Sequence, residues 1–466
     1  MKNSNNMINK DLNKYSSHFS AYTELRMQEN RNNHISMVNG DIMGNSVSSS
    51  SGVSSRVYND GNWGFSSSPD LSDFAVEYVV KNASDNVSFM NKRKNEQCGF
   101  ILPDITGHHE IDLSTQHVRN DQKQWIDFLG TIDNYIAKKY SFLNSRTVVL
   151  SGLDMEKSLL TSAGSTSYSM TPRGIMYISL TMENNGEPVD LMNVFGGLGQ
   201  LEDHFLDPAH FYNDIDILVE HLQKKSKGVY ADAGLKDVIL DADLAGILAH
   251  EAIGHTTEAD LVLGGSVAGE FMGEQVASEL VTLVDYANTM NKQVCPVPVY
   301  IDDEGTPSED TVIIQNGSLR SFMHNKDSAR HFNTNPTGNA RAYAFSDEPL
   351  IRMRNTAIQP GKSTLDEMIS TIDDGYYLMK SSNGQADSTS EFMFGVPLGY
   401  EIKGGKLGNA IKDTTISGVA FDVLKTIDMI SSDMTWSAGG MCGKKQWIPV
   451  GMGGPAIKCK VNIGGR

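Results

Sequence analysis

The sequence predicts an α+β protein, with a mixed α/β N-terminal domain over residues 1–225 and a β-rich C-terminal domain over residues 226–466. Three observations predict it. Apolar residues recur at helical spacing in separate stretches of the first half, with hairpin and strand signals between them. Lys224-Lys225-Ser226-Lys227-Gly228 then sets basic residues before a glycine, which is a helix stop. Beyond it, short apolar runs are punctuated by glycine-containing turns.

The elements follow in chain order. A Ser-rich stretch at 51–56 leads into residues 57–65, where Asp60-Gly61 signals a tight hairpin. Residues 70–81 have helical spacing through Phe74, Val76, Val79 and Val80. Residues 122–138 form a second amphipathic helix through Trp125, Phe128, Leu129, Ile132 and Ile136. Residues 176–182 read as a strand with Asn184-Asn185-Gly186 as its turn, and 207–225 as a third helix. The second half opens with a strand at 237–240, and Asp241 or Asp243 caps the helix that follows. Strands are expected at 297–302, 311–315, 400–402, 415–417 and 457–463, with a short helix at 422–430.

Composition excludes several classes. A chain of 466 residues exceeds one compact core. A formal net charge of -18 argues against a nucleic-acid partner, which would call for a basic face. No run of 18 apolar residues is present, so no membrane helix is expected. The polar start Met1-Lys2-Asn3-Ser4-Asn5-Asn6 lacks the apolar core of a signal peptide. The cysteines at 98, 295, 442 and 459 form no C-x-x-C pair and suggest no disulfide framework. The expected compartment is the cytoplasm, with reduced thiols.

The capped helix carries Leu248-Ala249-His250-Glu251-Ala252-Ile253-Gly254-His255. Two histidines flanking a glutamate are the raw material of a metal site with its own general base. Zincins space the histidines as H-E-x-x-H on one helix face; here the spacing is one residue longer. On a straight helix His250 and His255 would stand about 140° apart. Glu251 and His255 would share a face with Leu244, Leu248 and Ala252, and His250 would point aside. Gly254 weakens the helix, so a bulge or helix end is expected there, swinging His255 toward an ion. A third ligand is open among His108, His109, His204, His324, His331 and Cys442. Cys442 lies in a glycine-rich loop beside Lys444, a setting that favours thiolate. Cys459 alternates with Ile457 and Val461 as a core residue would, and Cys98 and Cys295 read as structural. Glu258 and Asp260 are either orienting partners of the imidazoles or a solvated acidic turn. No G-x-S-x-G elbow, Walker motif or G-x-G-x-x-G fingerprint appears.

The phrase from His250 to Asp260 resembles the hallmark of the TldD-like branch of the TldD/PmbA family of zinc metallopeptidases; the PmbA-like (TldE) branch lacks H-E-x-x-x-H. Thr337-Gly338-Asn339-Ala340-Arg341, Arg352-Met353-Arg354-Asn355-Thr356, Pro360-Gly361, Ile416-Ser417-Gly418, Met441-Cys442-Gly443-Lys444 and Gly464-Gly465 extend the resemblance to the C-terminus. Gly52-Val53-Ser54-Ser55-Arg56 extends it more loosely to the first half. The family phrase after the cysteine is Cys-Gly-Lys-x-Gly-Gln; here it runs Cys442-Gly443-Lys444-Lys445-Gln446, one glycine short. The resemblance implies zinc held by His250, His255 and Cys442, with Glu251 as catalytic base. It implies pairing with a PmbA/TldE-like subunit, or with a second copy, around a chamber that admits unfolded or small peptides. The opposing expectation is a metal-stabilised peptide-binding scaffold without turnover, whose ion would have four protein ligands and no open position.

Overall fold

The computed structural model describes residues 8–93 and 101–464. The Cys98 and Gly465 expectations lie outside the described residues. The first half is built on a seven-stranded sheet. Its spine is four long antiparallel strands, Tyr22–Val38, Asp41–Asn59, Ser145–Thr161 and Thr166–Asn184. Asn62–Ser68 closes one edge, and Glu187–Leu198 and His108–Asp112 share the far side of Thr166–Asn184. Asp60 and Gly61 both take positive φ (49° and 82°), the backbone of a two-residue hairpin turn that matches strand twist. Asn185 and Gly186 do the same (54° and 82°).

Three helices cover this sheet. Gln122–Lys139 buries Trp125, Phe128, Leu129, Ile132 and Ile136, the expected stripe, and Asp121 and Gln124 form a capping box at its start. Tyr212–Ser226 follows a 3₁₀ turn capped by Asp207. The helix expected at 70–81 spans Asp73–Asn91, capped by the Ser72 hydroxyl. Phe74 is solvent-exposed; the buried stripe is Ala75, Val76, Val79, Val80, Ala83 and Val87. The strand expected at 176–182 lies within the second half of a 19-residue strand. Its polar first part escapes a hydrophobicity reading because one face packs against the second half of the chain, through side chains such as Arg173.

The second half holds a nine-stranded and a six-stranded sheet. Gly234–Leu240 runs parallel to Asp374–Met379 and antiparallel to Ile457–Ile463. In the smaller sheet Leu283–Tyr286, Asn355–Ile358 and Gly451–Gly454 lie side by side. One apolar core joins both sheets, and Leu244, Leu248, Ala252 and Ile253 of the intervening helical segment lie within it. The helix Ala242–Ile247 approaches Gly451–Gly454 backbone to backbone: a Cβ on Gly246 would lie 2.7 Å from the Gly453 nitrogen. Asp241, not Asp243, caps it, accepting from the Leu244 N–H at 2.9 Å.

Two expected elements differ. Residues 297–302 form a loop with a single bridge from Ile301 to Pro307, held by backbone N–H donation to the buried Asp302 carboxylate. The helix expected at 422–430 covers Ala420–Lys425, and Met429–Ile430 pairs with the last strand. Cys295, Cys442 and Cys459 are free and buried. Among the described residues no helix is long and apolar enough to cross a membrane.

Candidate metal centre

The helical segment changes pitch where the histidines begin. After Ala242–Ile247 the backbone forms a π-helical turn over Leu248–Gly254, then a 3₁₀ turn over His255–Thr257. The His255 N–H donates to the His250 carbonyl, five residues back. The wider turn absorbs the extra residue of the motif and sets the two imidazoles together, ring centroids 5.2 Å apart. His250 therefore does not point aside: it is fully buried. Gly254 is required by close packing, since a Cβ there would lie 2.0 Å from the Met353 sulfur.

Cys442 arrives from the other side on the small hairpin of Met441–Cys442 and Ile448–Pro449. Its Sγ lies 3.3 Å from His255 Nε2. Ligand atoms of His250, His255 and Cys442 all fall within 4.8 Å of one another. A tetrahedral zinc with bonds of about 2.0–2.3 Å would need its donors about 3.3–3.8 Å apart, so the trio closes on an ion with small side-chain movement. Neither nitrogen of buried His250 has a hydrogen-bond partner. Such a group is costly to bury unless something else satisfies it. Two imidazoles and a thiolate suit a borderline-soft ion such as zinc, so the residues fit the group that the motif implies.

The electrostatics agree. Burial pushes the Cys442 thiol up, but the facing His250 and His255 outweigh it and bring it down to about 4. The histidines, rather than Lys444, make the thiolate. Burial works against charge on His255, yet Glu258 and Cys442 raise it well above the ordinary imidazole value. Glu258 is fully buried, and its Oε2 accepts from His255 Nδ1 at 2.8 Å, which leaves Nε2 facing the thiol. Burial pushes Glu258 up, but His255 and Lys444 hold it below the usual carboxylate range. Lys444 Nζ sits 3.2 Å from Glu258 and 2.7 Å from Asp260. Asp260 thus anchors the hairpin's lysine and does not touch an imidazole.

Glu251 stands at the mouth of the site with its side chain about a quarter exposed (23%). Its carboxylate oxygens are 3.7 Å from His255 Nε2 and 4.0 Å from His250 Nε2. The trio is the one cluster of three or more potential ligands among the described residues. The other histidines are elsewhere: His108 meets the Thr166 hydroxyl, His204 the Leu198 carbonyl, His324 Ser328, His109 stacks on Tyr300, and His331 ends the helix Lys326–His331. Sequence reasoning missed three buried arginines around the hairpin. Arg352 donates to the carbonyls of Cys442, Lys444 and Gln446. Arg341 donates to those of Met353 and Pro449, and Arg173 to those of Ala438 and Gly440. Arg341 and Arg352 lie in phrases that carried the family resemblance, which was the available signal; Arg173 had none.

The PmbA/TldA metallopeptidase C-terminal domain matches residues 233–465, and PmbA/TldA metallopeptidase domain 1 matches residues 23–87. A metalloprotease of Methanocaldococcus jannaschii is 30% identical over 94% of this chain and 95% of its own length. A zinc metalloprotease TldD homolog of Saccharolobus solfataricus is 29% identical over 89% of this chain and 90% of its own. The crystal structure of TldE from Thermococcus kodakarensis shares the fold at a TM-score of 0.77 and 17% identity, covering 97% of this chain and 98% of that one. Whole-length likeness to metalloproteases, with both domain matches in order, leaves one conclusion: the chain belongs to the TldD/PmbA family of metallopeptidases.

Proposed function

We propose that this chain is a zinc-dependent peptidase, with His250, His255 and Cys442 holding the ion and Glu251 serving as general base. The observation that carries the reading is the convergence of two imidazoles and a thiol within 4.8 Å, beside a carboxylate that is not one of them. Three protein ligands and a free carboxylate favour a catalytic site over a four-ligand structural one. When bound, zinc supplies Lewis acidity, lowering the pKa of a coordinated water toward about 7 and polarising a peptide carbonyl. Glu251 takes the proton as water attacks that carbonyl, and passes it to the departing amine. Glu258 holds His255 in the tautomer whose Nε2 faces the site. Lys444 ties Glu258 to the Cys442 hairpin, so the histidine segment and the hairpin share one brace.

The substrates proposed are unfolded or small peptides. An extended chain can add to a sheet edge through backbone pairing, with little demand on sequence. We assign residues 1–225 the role of shaping a substrate chamber and the dimer around it. The partner is a TldE-like subunit or a second copy. A reducing compartment such as the cytoplasm keeps the thiol available. The test is metal content by mass spectrometry on the parent chain, His250→Ala and Cys442→Ala, with peptide cleavage followed in Glu251→Gln. About one zinc per chain, lost in both ligand variants, and a metal-loaded but inactive Glu251→Gln are expected. Zinc retained in His250→Ala sinks the ligand set; cleavage retained in Glu251→Gln sinks the base.

A further inference from the structure

The hairpin that brings Cys442 has two ladder pairs, Met441 with Pro449 and Cys442 with Ile448, and the Val450 N–H donates to the Gly440 carbonyl at 3.1 Å; beyond the irregular stretch at 438–440 the two segments pair again at Ser437 with Met452. Guanidinium groups add to this hold where the ladder is interrupted. Arg352 and Arg341 come from the same half of the chain as the hairpin. Arg173 comes from the other half, from the strand Thr166–Asn184 of the N-terminal sheet. Its Nη1 donates to the Gly440 carbonyl at 3.0 Å and its Nη2 to the Ala438 carbonyl at 2.6 Å. The loop it holds lies flat on that sheet: a Cβ on Gly439 would be 3.2 Å from Val194 Cγ1 and 3.6 Å from the Tyr177 hydroxyl. On its other side a Cβ on Gly440 would be 2.4 Å from the Val450 carbonyl. The two residues before Met441–Cys442 are thus clamped between the halves.

Resting on the zinc-site reading above, we propose that Arg173 is a positioning residue for the metal centre: its fork across Ala438 and Gly440 lets the seating of the N-terminal sheet set how tightly His250, His255 and Cys442 hold their ion. Arginine suits the task. Its planar fork spans two carbonyls at once, which lysine cannot do, and it keeps its charge when buried. Arg173 is buried and pairs with no carboxylate among the described residues. Burial lowers it to about 10, so the cation persists at neutral pH. A buried guanidinium without an anion is a poor choice for holding two halves together. It makes sense where two carbonyls must be fixed and a thiolate lies two residues further on. The loss of an orienting contact one step removed from a ligand lowers metal affinity roughly 10- to 100-fold in metalloproteins.

The experiment measures zinc affinity of the full chain by chelator competition, for the parent, Arg173→Met and Arg173→Lys, with apo-protein melting recorded alongside. Cobalt(II) replaces zinc in parallel, because its sulfur-to-metal charge-transfer band reports how well the thiolate is placed. The expected result is zinc affinity down about 10- to 100-fold in Arg173→Met and less in Arg173→Lys, with a weakened cobalt–sulfur band at saturating cobalt. Arg26→Met is the control, since Arg26 crosses the same seam to the carbonyls of Ala344 and Asp347 without touching the hairpin. It should lower apo stability and leave zinc affinity within about twofold of the parent, well inside the change expected for a contact next to a ligand. Equal loss in Arg26→Met, or parental affinity in both Arg173 variants, overturns the proposal. Should Arg173→Met not fold, Arg173→Lys decides alone. His250→Ala in the same assay separates the two ideas. If it binds zinc as the parent does, the metal-centre reading falls and Arg173 falls with it. If it loses zinc while the Arg173 variants keep theirs, the positioning role alone falls.

Discussion

The two arms of the candidate metal centre are held by different means. The helical arm, from Leu248 to Thr257, keeps its shape through its own backbone: a π turn closed by His255 N–H on the His250 carbonyl, packed in the apolar core. The hairpin arm, from Ala438 to Pro449, has a backbone ladder interrupted at 438–440 and adds rigidity from Arg173, Arg341 and Arg352. The first arm carries two candidate ligands and the proposed base; the second carries one candidate ligand. Local hydrogen bonding can place a pair of groups a turn apart, whereas a single group on a loop needs distant side chains to hold it. The arms meet at the Cys442–His255 contact, and Lys444 of the hairpin reaches Glu258 and Asp260 just beyond the helical arm.

The largest expected effect lies on the helical arm. Glu251→Gln should cut kcat for peptide cleavage about 10²- to 10⁴-fold with zinc content unchanged. Metal loss in that variant would mean that Glu251 is a ligand and that the division between the arms is drawn wrongly. Next comes the hairpin arm. Arg352→Met takes the donor from the buried Cys442 carbonyl and from the part-buried carbonyls of Lys444 and Gln446. With one buried carbonyl left unsatisfied, urea unfolding of the apo-protein should show a loss of about 1–3 kcal/mol. An effect below about 1 kcal/mol would mean that the hairpin supports itself, since surface changes rarely exceed that.

Gly254→Ala pushes a methyl toward the Met353 sulfur and tests how rigid the π turn is. Overpacking of this kind costs about 1–3 kcal/mol, read in the same unfolding assay. Wild-type stability would show that the turn adapts.

The thiol gives a pH test that needs no metal. An ordinary thiol deprotonates near 8.5, whereas folded Cys442 does so at about 4. A depressed acid contributes stability in full above its unfolded value, and that contribution shrinks as pH falls and ends at the folded value. Thiolate absorbance of the apo-chain, taken as the difference from Cys442→Ala, should therefore persist from pH 8 down to about 4. A midpoint above about 7 would remove the histidines' hold on the thiol. Smallest of all is Lys445→Gly. Lys445 sits at φ 55°, a left-handed backbone that glycine adopts without strain, at the position where the family phrase is one glycine short. A gain of about 1 kcal/mol or less is expected from thermal melting.

This difference between the arms also decides what was legible in the amino-acid order. Gly254 and the over-long histidine spacing together announce a deformed helix, because both are local. The stripe of Trp125, Phe128, Leu129, Ile132 and Ile136 and the turns at Asp60-Gly61 and Asn185-Gly186 are local too, and the structure has them in place. Strands such as Tyr22–Val38 were hidden because their faces meet both a helix layer and the second half of the chain, so polar residues such as Arg26, Gln28 and Asn30 are buried on partners more than 300 positions away. Residues 297–302 look apolar enough for a strand but run as a loop into Asp302, whose buried carboxylate accepts the backbone N–H groups of Glu304, Thr306 and Ala340. Arg173 lies 267 positions from its carbonyl on Gly440, and no spacing rule reaches that far.

The π turn has one more consequence, for what an inserted residue does to a helix. Adding one position to a regular helix turns everything after it by about 100° and carries the following side chains off their face. Here a single loop of wider pitch takes up the surplus within Leu248–Gly254, and the chain beyond it stays in frame with Glu258 under His255. Shortening the segment by Ala252 would restore the spacing of an ordinary two-histidine helix, yet it would drag Glu258 and its lysine brace out of line. The extra residue is thus bound up with everything downstream of it, and the motif tolerates its length only as part of the whole turn.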